Sequence, residues 1–485
     1  MQADCTSFKK NSAVALQDPK LQGALNNLGS GLQARRAAVV SDLPEFEELR
    51  EDGRRIKRQV MADLDTYLEL FETKVSEQGG HVHWASSADD AREAILAICQ
   101  NAGAKMVTKG KSMVTEELGL NDFLAEKGIT PVETDLGEYI LQLRKEAPSH
   151  IVVPAVHLVQ DDIEKTFVKH HTKLAAERDI STPESLVNEA RQALRERFFE
   201  ADVGITGANY LIAESGATVI VTNEGNGDLT QTLPRVHVVV TTIERVIPTL
   251  EDLSTFLRLL PRSATGQEAT SYVTLSSGPK RPEDLHGPEE FHVVLLDSGR
   301  SELLGGDDQD VLNCIRCGAC MNHCPVYSSA GGHAYGWVYP GPIGSALTPA
   351  IIGIEHSAAL PNASTFCGRC VEVCPVKIPL TDIMRRWRVE EHQKKLTATW
   401  GRLALRSWTW LATHPRLYQM FSGIAVWSMA LFGRRSGYLT WLPMAGGWTR
   451  HRDFPAPEGT TFHAAMSSRI KADAKGNNAV GIRYE

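Results

Sequence analysis

The sequence has no block of lysine and arginine to offset its net charge of −8, which argues against a nucleic-acid partner. It has no G-x-G-x-x-G fingerprint after a predicted strand, so neither NAD nor a flavin has a visible site. The opening residues, "MQADCTSFKKNSAVAL", contain no apolar core of signal-peptide length, and this points to a cytoplasmic chain. One apolar run, "LYQMFSGIAVWSMALFG", stops at 17 residues and is broken by Gln419 and two serines. A membrane span needs about 20 predominantly apolar residues, so the run predicts a docked or interfacial helix, at most peripheral to the inner face of a membrane. Cysteine is missing from most of the chain: seven of its nine copies fall between 314 and 374. A disulfide framework would spread them, whereas a reducing cytoplasm suits such crowding. What remains is a 42% hydrophobic, 23% charged chain of 485 residues, the composition of a globular protein with room for two or three domains.

Periodicity divides the chain into four parts: a helical segment over 1–57, an α/β domain over 58–304, a cysteine-bearing region over 305–390 and a tryptophan-rich helical region over 391–485. Leu64, Tyr67, Leu68 and Phe71 recur at helical spacing and the helix stops at Gly79-Gly80. "HVHWA" and "KMVTKG" read as short strands on either side of a helix with Ser87 as N-cap and Asp90 in its first turn. "TEELGLNDFLAEKGI" reads as one helix. The alternation continues through "SHIVVPAVHL" and the amphipathic "STPESLVNEARQALRERFFE". "YLIAESGATVIVTNEGNGD" predicts two β runs joined at Ser215-Gly216, and "RVHVVVTTIERVI", "TSYVTLSSGP" and "EFHVVLLDSG" add further strands, with "GPKRPEDLHGPEE" as a surface excursion. Strand–helix alternation of this kind means βαβ units and a mainly parallel sheet.

The chemistry is concentrated in Cys314, Cys317, Cys320 and Cys324, spaced C-x2-C-x2-C-x3-C and followed by Pro325. Three such thiolates curl around one face of an iron–sulfur core, and the fourth, before proline, turns to a neighbouring core. A shorter echo, "FCGRCVEVCPVKIPL", follows. By the same rule Cys314, Cys317, Cys320 and Cys374 hold one cluster, and Cys324, Cys367 and Cys370 hold the other. Zinc would take ligands in pairs, and disulfides fit such close spacing badly. Where a full second motif would carry cysteine the chain has Ser364. That leaves open a [4Fe-4S] core completed by Ser364, water or an outside group, and a [3Fe-4S] core. The segments "GSALTPAIIGIEH" and "LTDIMRRWRVEEHQKKL" predict helices around the cysteines, hence a helical two-cluster domain that passes electrons singly.

The two cysteine motifs, together with "GGHAYGWVYPGPIG", "ESGATVIVTNEGN" and "GGWTRHRDFPAP", resemble the lactate-utilisation iron–sulfur protein B family over nearly the whole chain. The resemblance implies an α/β lactate-utilisation domain, similar to the formyltetrahydrofolate cyclo-ligase and sugar-isomerase folds, followed by an α-helical two-cluster ferredoxin domain. It also implies two partners, a cysteine-rich A-type subunit and a C-type subunit related to the α/β domain. Together these oxidise L-lactate to pyruvate, with this chain as an electron-transfer subunit that is inactive alone and linked to a quinone or membrane-surface acceptor. A cluster-containing redox sensor and a subunit for another 2-hydroxy acid are the alternatives.

Outside the cysteines, Glu214, Thr222, Asn223, Glu224 and Asn226 surround a glycine-rich turn, where strand ends bind ligands. Lys109, Lys111 and Ser112 follow a strand and suit a carboxylate. The pair His170-His171 reads as structural rather than proton-carrying; His333, between the motifs and near a cluster in sequence, is the candidate for ligand binding among the histidines. Seven of nine tryptophans fall between 387 and 448, as extra core, a partner surface or a membrane anchor.

Overall fold

The structure, a computed structural model, describes residues 4–175, 177–443, 445–449 and 452–479. Arg450 and His451 of the quoted "GGWTRHRDFPAP" lie outside them. The main sheet is six-stranded and parallel throughout. Its strands, β1 (His81–Ala85), β2 (Met106–Lys109), β3 (Thr130–Glu133), β4 (Val203–Thr206), β7 (Val236–Thr242) and β10 (Glu290–Leu296), lie in the order β1-β10-β7-β4-β2-β3. β7 is buried at every position, which its near-continuous Val/Thr run reflects: a parallel strand needs apolar residues on both faces. A second sheet of β5 (Tyr210–Ile212), β6 (Ala217–Thr222), β8 (Val246–Ile247) and β9 (Tyr272–Ser276) has the order β8-β5-β6-β9. Its β5–β6 hairpin turns at Ser215-Gly216, where Gly216 has φ +68°. The helix Ala88–Asn101 starts in a capping box: Ser87 Oγ accepts from Asp90 N at 3.2 Å, and the Asp90 carboxylate accepts from Ser87 N at 3.0 Å.

Three expectations need correction. "TEELGLNDFLAEKGI" is two helices, Met113–Leu118 and Leu120–Glu126, because Gly119 between them takes φ +62°. "SHIVVPAVHL" does not continue the strand–helix alternation. Its backbone is claimed elsewhere: the N–H groups of Val152 and Val153 donate to the His150 ring, and the Ser149 carbonyl accepts from Tyr327 Oη at 2.7 Å. The division at 57/58 falls inside the unbroken helix Phe46–Ala62, whose Ile56 and Val60 are core residues.

That core explains why the cut fails. One apolar cluster joins Leu25 from the N-terminal helices, Phe71 and Val219 from the α/β part, and Tyr335, Ile343 and Met384 from the cysteine-bearing part. Met1–Leu396 is accordingly one compact unit. A second cluster, with Ile95, Leu124, Val238 and Leu296, fills another part of it. The second unit, Thr397–Glu485, contains the helices Thr399–Ala412 and Pro415–Gly433, which leave Trp400, Trp408, Trp410 and Trp427 exposed. Among the described residues no helix is long and apolar enough to cross a membrane.

Candidate functional site

The two cysteine motifs share one backbone. Arg316 and Phe366 both take positive φ, 57° and 54°, before Cys317 and Cys367. Gly318 and Gly368 follow in the left-handed region and open the short helices Ala319–Asn322 and Arg369–Glu372. Left-handed backbone is costly for arginine and phenylalanine, and each is braced by a guanidinium–ring contact. Arg316 stacks 4.4 Å from the Tyr339 ring centroid, and Arg388 sits 4.0 Å from that of Phe366. The same twist aims the second following N–H back at Cys317 and at Cys367. The parallel extends one position further: Arg316 N donates to Cys314 Sγ at 3.4 Å, and Phe366 N donates to Ser364 Oγ at 3.1 Å. Ser364 thus stands where Cys314 stands in the first motif.

A small cavity is lined by Cys314, Cys317, Cys320 and Cys374, together with apolar Ile151, Ile343 and Val376. Burial opposes ionisation of Cys317, Cys320 and Cys374, and neighbouring thiols add to it. Cys317 is pushed up by burial and then by Cys374, and Cys320 by burial and then by Cys317, Cys314, Cys370 and Cys374. Burial holds Cys374 up at about 11. Cys370 is raised to about 12 by burial, then by Cys324 and Cys367. Cys367, which is exposed, is held below its usual value by the Arg369 N–H and the Thr365 hydroxyl. Among the described residues, no three His, Cys, Asp or Glu side chains converge closely enough for a single metal ion. Thiols ringed around one cavity, three of them held up by burial, fit an iron–sulfur cluster, whose multiply charged cationic core would favour their ionised form.

N-terminal helices clamp the second motif. Arg50 donates to the Cys374 carbonyl through Nε at 3.0 Å and Nη2 at 2.7 Å, and Arg36 donates to the Val373 carbonyl at 3.0 Å. On the other side, a buried charge network fastens the first motif to the sheet. Arg300, fully buried, donates to both oxygens of Glu117 at 3.1 and 2.7 Å, and Tyr339 Oη donates to the same carboxylate at 2.6 Å. Arg316 donates to Glu244 at 3.2 Å. Burial would raise the Glu244 carboxyl, but Arg300, Arg316 and Arg245 bring it down to about 2.

A second, larger cavity of about 540 Å³ opens at the carboxyl ends of the parallel strands. Gly110–Ser112 after β2, Asp135 after β3, Thr206 at the end of β4 with Gly207–Asn209 beyond it, and Arg245 after β7 all line it. It straddles β2 and β4, the neighbours where the chain reverses its direction of travel across the sheet, the place where open α/β sheets bind ligands. Its size lies within the roughly 300–1,000 Å³ usual for ligand sites. Ile151 lines both cavities.

Of the residues singled out in sequence, Thr222, Asn223, Glu224, Asn226, Lys111 and Ser112 line this cavity. Glu214 does not: its carboxylate accepts from Leu250 N at 2.7 Å and caps the helix Leu250–Ala264. Lys109 is fully buried beside Thr115, Glu116 at 3.0 Å and Glu133 at 2.7 Å, so its donors are already committed. Burial alone would lower its pKa, and the carboxylates of Glu133, Glu116 and Glu138 hold it up instead. His333 bonds the Ala147 carbonyl at 2.7 Å, and His171 sits between Tyr139 at 2.8 Å and Glu189 at 2.7 Å, both structural. Arg245 and Arg316, which line the cavity, escaped the sequence reading. The only signals were an arginine just after the "VHVVVTTIE" strand and another inside "CIRC".

Residues 68–296 match the LUD domain family, 310–378 the 4Fe-4S dicluster domain and 384–471 the C-terminal region of lactate utilisation protein B. Lactate utilization protein B of Macrococcus caseolyticus is 43% identical over 97% of this chain and 98% of its own. The chain belongs to the lactate utilization protein B family. Other similar members are lactate utilization protein B of Bacillus subtilis, 40% identical over 97% of this chain and 98% of its own, and the uncharacterized electron transport protein YkgF of Escherichia coli K12. The latter is 40% identical over 95% of this chain and 96% of its own. A crystal structure of a DUF162 family protein from Deinococcus radiodurans covers 48% of this chain and 98% of its own at 16% identity, with a TM-score of 0.25, too low to speak to the fold. Both cysteine motifs lie inside the dicluster match, so this family member carries an iron–sulfur domain.

Proposed function

We propose that this chain is the iron–sulfur electron-transfer subunit of a complex that oxidises L-lactate to pyruvate. Cys314, Cys317, Cys320 and Cys374 hold one [4Fe-4S] cluster; Cys324, Cys367 and Cys370 hold a second, with the Ser364 hydroxyl at its fourth corner. The observation that carries the reading is the small cavity, where Cys374 of the second motif joins three cysteines of the first. When bound, the clusters supply one-electron carriers. The chain's own residues fix their surroundings: Arg50 and Arg36 clamp the second motif, and Arg316 and Tyr339 lock the first to the sheet. Supporting the substrate are the names of the relatives, which concern lactate utilisation and electron transport.

The remaining parts of the proposal are a cysteine-rich A-type partner, a C-type partner and an acceptor at the inner membrane surface, for which the exposed tryptophans of the second unit offer an interface. A likeness of the α/β part to cyclo-ligase and sugar-isomerase folds belongs to the same proposal, in keeping with the parallel six-stranded sheet. The test is EPR of the chain purified without oxygen, before and after reduction, followed by lactate oxidation with and without both partners. Two distinct cluster signals and activity only in the reconstituted complex are expected. Absence of iron and acid-labile sulfide, or lactate oxidation by the chain alone, overturns the assignment.

A further inference from the structure

Two buried guanidinium groups line the large cavity, and among the described residues two donors of each have no acceptor. Arg245 is 8% exposed and Arg316 is 9% exposed. The two donors are Nε and Nη1, while Nη2 of Arg316 is committed to Glu244 at 3.2 Å. A buried charged donor without an acceptor is destabilising by more than a lost hydrogen bond, so these groups are built for something that arrives later. Arg245, Arg300 and Arg316 gather around two carboxylates, Glu117 and Glu244, with the Lys57 amine on the Glu244 carbonyl and the Cys314 thiol facing Arg245 and Arg316.

We propose that this cavity binds a small carboxylate of the 2-hydroxy- or 2-oxo-acid class, its carboxylate lying between Arg245 and Arg316. The anion follows from the cavity; the choice of acid rests on the electron-carrier reading above. Ser112 and Thr222 in the same lining add hydroxyls to the cavity. Arg316 stands between Cys314 and Cys317, and Ile151 lines both cavities, so the acid would lie one side chain away from the four-cysteine site. The proposal concerns binding alone.

The test uses the full chain with its clusters, purified without oxygen, and measures calorimetric binding of pyruvate, L-lactate and inorganic phosphate. Saturable binding of both acids is expected. Arg245→Gln should weaken it at least about tenfold, the consequence of losing a charged hydrogen bond, with iron and sulfide content unchanged; Arg245→Lys should lose less. Phenylglyoxal mapping of the unaltered holoprotein is the second measurement, with pyruvate expected to shield Arg245 and Arg316 from modification. It decides the matter should Arg245→Gln fail to retain its clusters. The proposal is overturned by an absence of saturable binding, by undiminished binding in Arg245→Gln, by phosphate binding as tightly as pyruvate, or by equal modification with and without pyruvate. A variant that alters only the reduced EPR spectrum would show that the arginines merely balance cluster charge, and would overturn it too. Iron and sulfide assays on the same samples report separately on the electron-carrier reading.

Discussion

Replacing Arg300 by methionine should expose how much the buried charge network contributes. Arg300 has no solvent access, and its Nη1 and Nη2 bridge both oxygens of Glu117 while Nε lies 3.4 Å from Glu244. In Arg300→Met, Glu117 keeps only the Tyr339 hydroxyl. Removing one partner of a buried pair is destabilising by about 3–5 kcal/mol, a large share of the roughly 5–15 kcal/mol that holds a domain together. At roughly 2–4 °C per kcal/mol for large domains, the thermal midpoint should drop on the order of 10 °C. Circular dichroism of the oxygen-free holoprotein is the assay. Arg300→Met combined with Glu117→Gln removes both charges and leaves Tyr339 an acceptor, so the double variant should recover more than half of the loss. A loss below about 1 kcal/mol in the single variant, or no recovery in the double, would refute the claim that an unpaired carboxylate is the cause.

The cluster assignment makes two spectroscopic predictions. Cys317→Ala and Cys374→Ala should abolish the same EPR signal, while Cys324→Ala and Cys370→Ala abolish the other; pairing by motif would contradict the crossed ligation. Ser364→Cys should retain iron and sulfide and change only the second signal, and Ser364→Ala should make that cluster the quicker to bleach in air. An unchanged spectrum in both Ser364 variants removes the hydroxyl from the fourth corner. Stability should also fall in mild acid. Burial, then the neighbouring His292, holds His237 down from 6.5 to about 3; burial, then His83, holds His292 down to about 4. The unfolded chain therefore takes up protons as pH falls below about 6.5 while the fold does not, so stability is full above that value and declines toward pH 4. The slope is at most about 1.4 kcal/mol per pH unit for each histidine. A thermal midpoint that is flat from pH 8 to 5 would contradict this.

Local signals were legible wherever the decisive partner is close in sequence. The Ser87–Asp90 capping box, the turn at Gly216 and the helix Leu64–Glu77 that ends before Gly79 depend on neighbours within a few residues. The cysteine runs were legible as an iron–sulfur domain because the spacing within each is local; that Cys374 joins the first run around one cavity is set by the fold. Reading failed where the partner is distant. "SHIVVPAVHL" has strand composition, yet His150 bonds Asn322 at 2.9 Å and Ser149 bonds Tyr327. Lys109 looked available because Glu133 reaches it only once β2 and β3 pair. Arg245 belongs to no motif and Arg316 stands in the cysteine run only as a spacer; the fold alone reveals that, among the described residues, Nε and Nη1 of each are left without acceptors.

The Arg50 clamp on the Cys374 carbonyl has a consequence for biogenesis. The carbonyl that Arg50 grips lies 324 residues downstream of it. On the ribosome this latch stays open until almost the whole unit has emerged. That interval gives iron delivery a natural window, and a clasp that closes afterwards would slow the escape of metal from the finished protein.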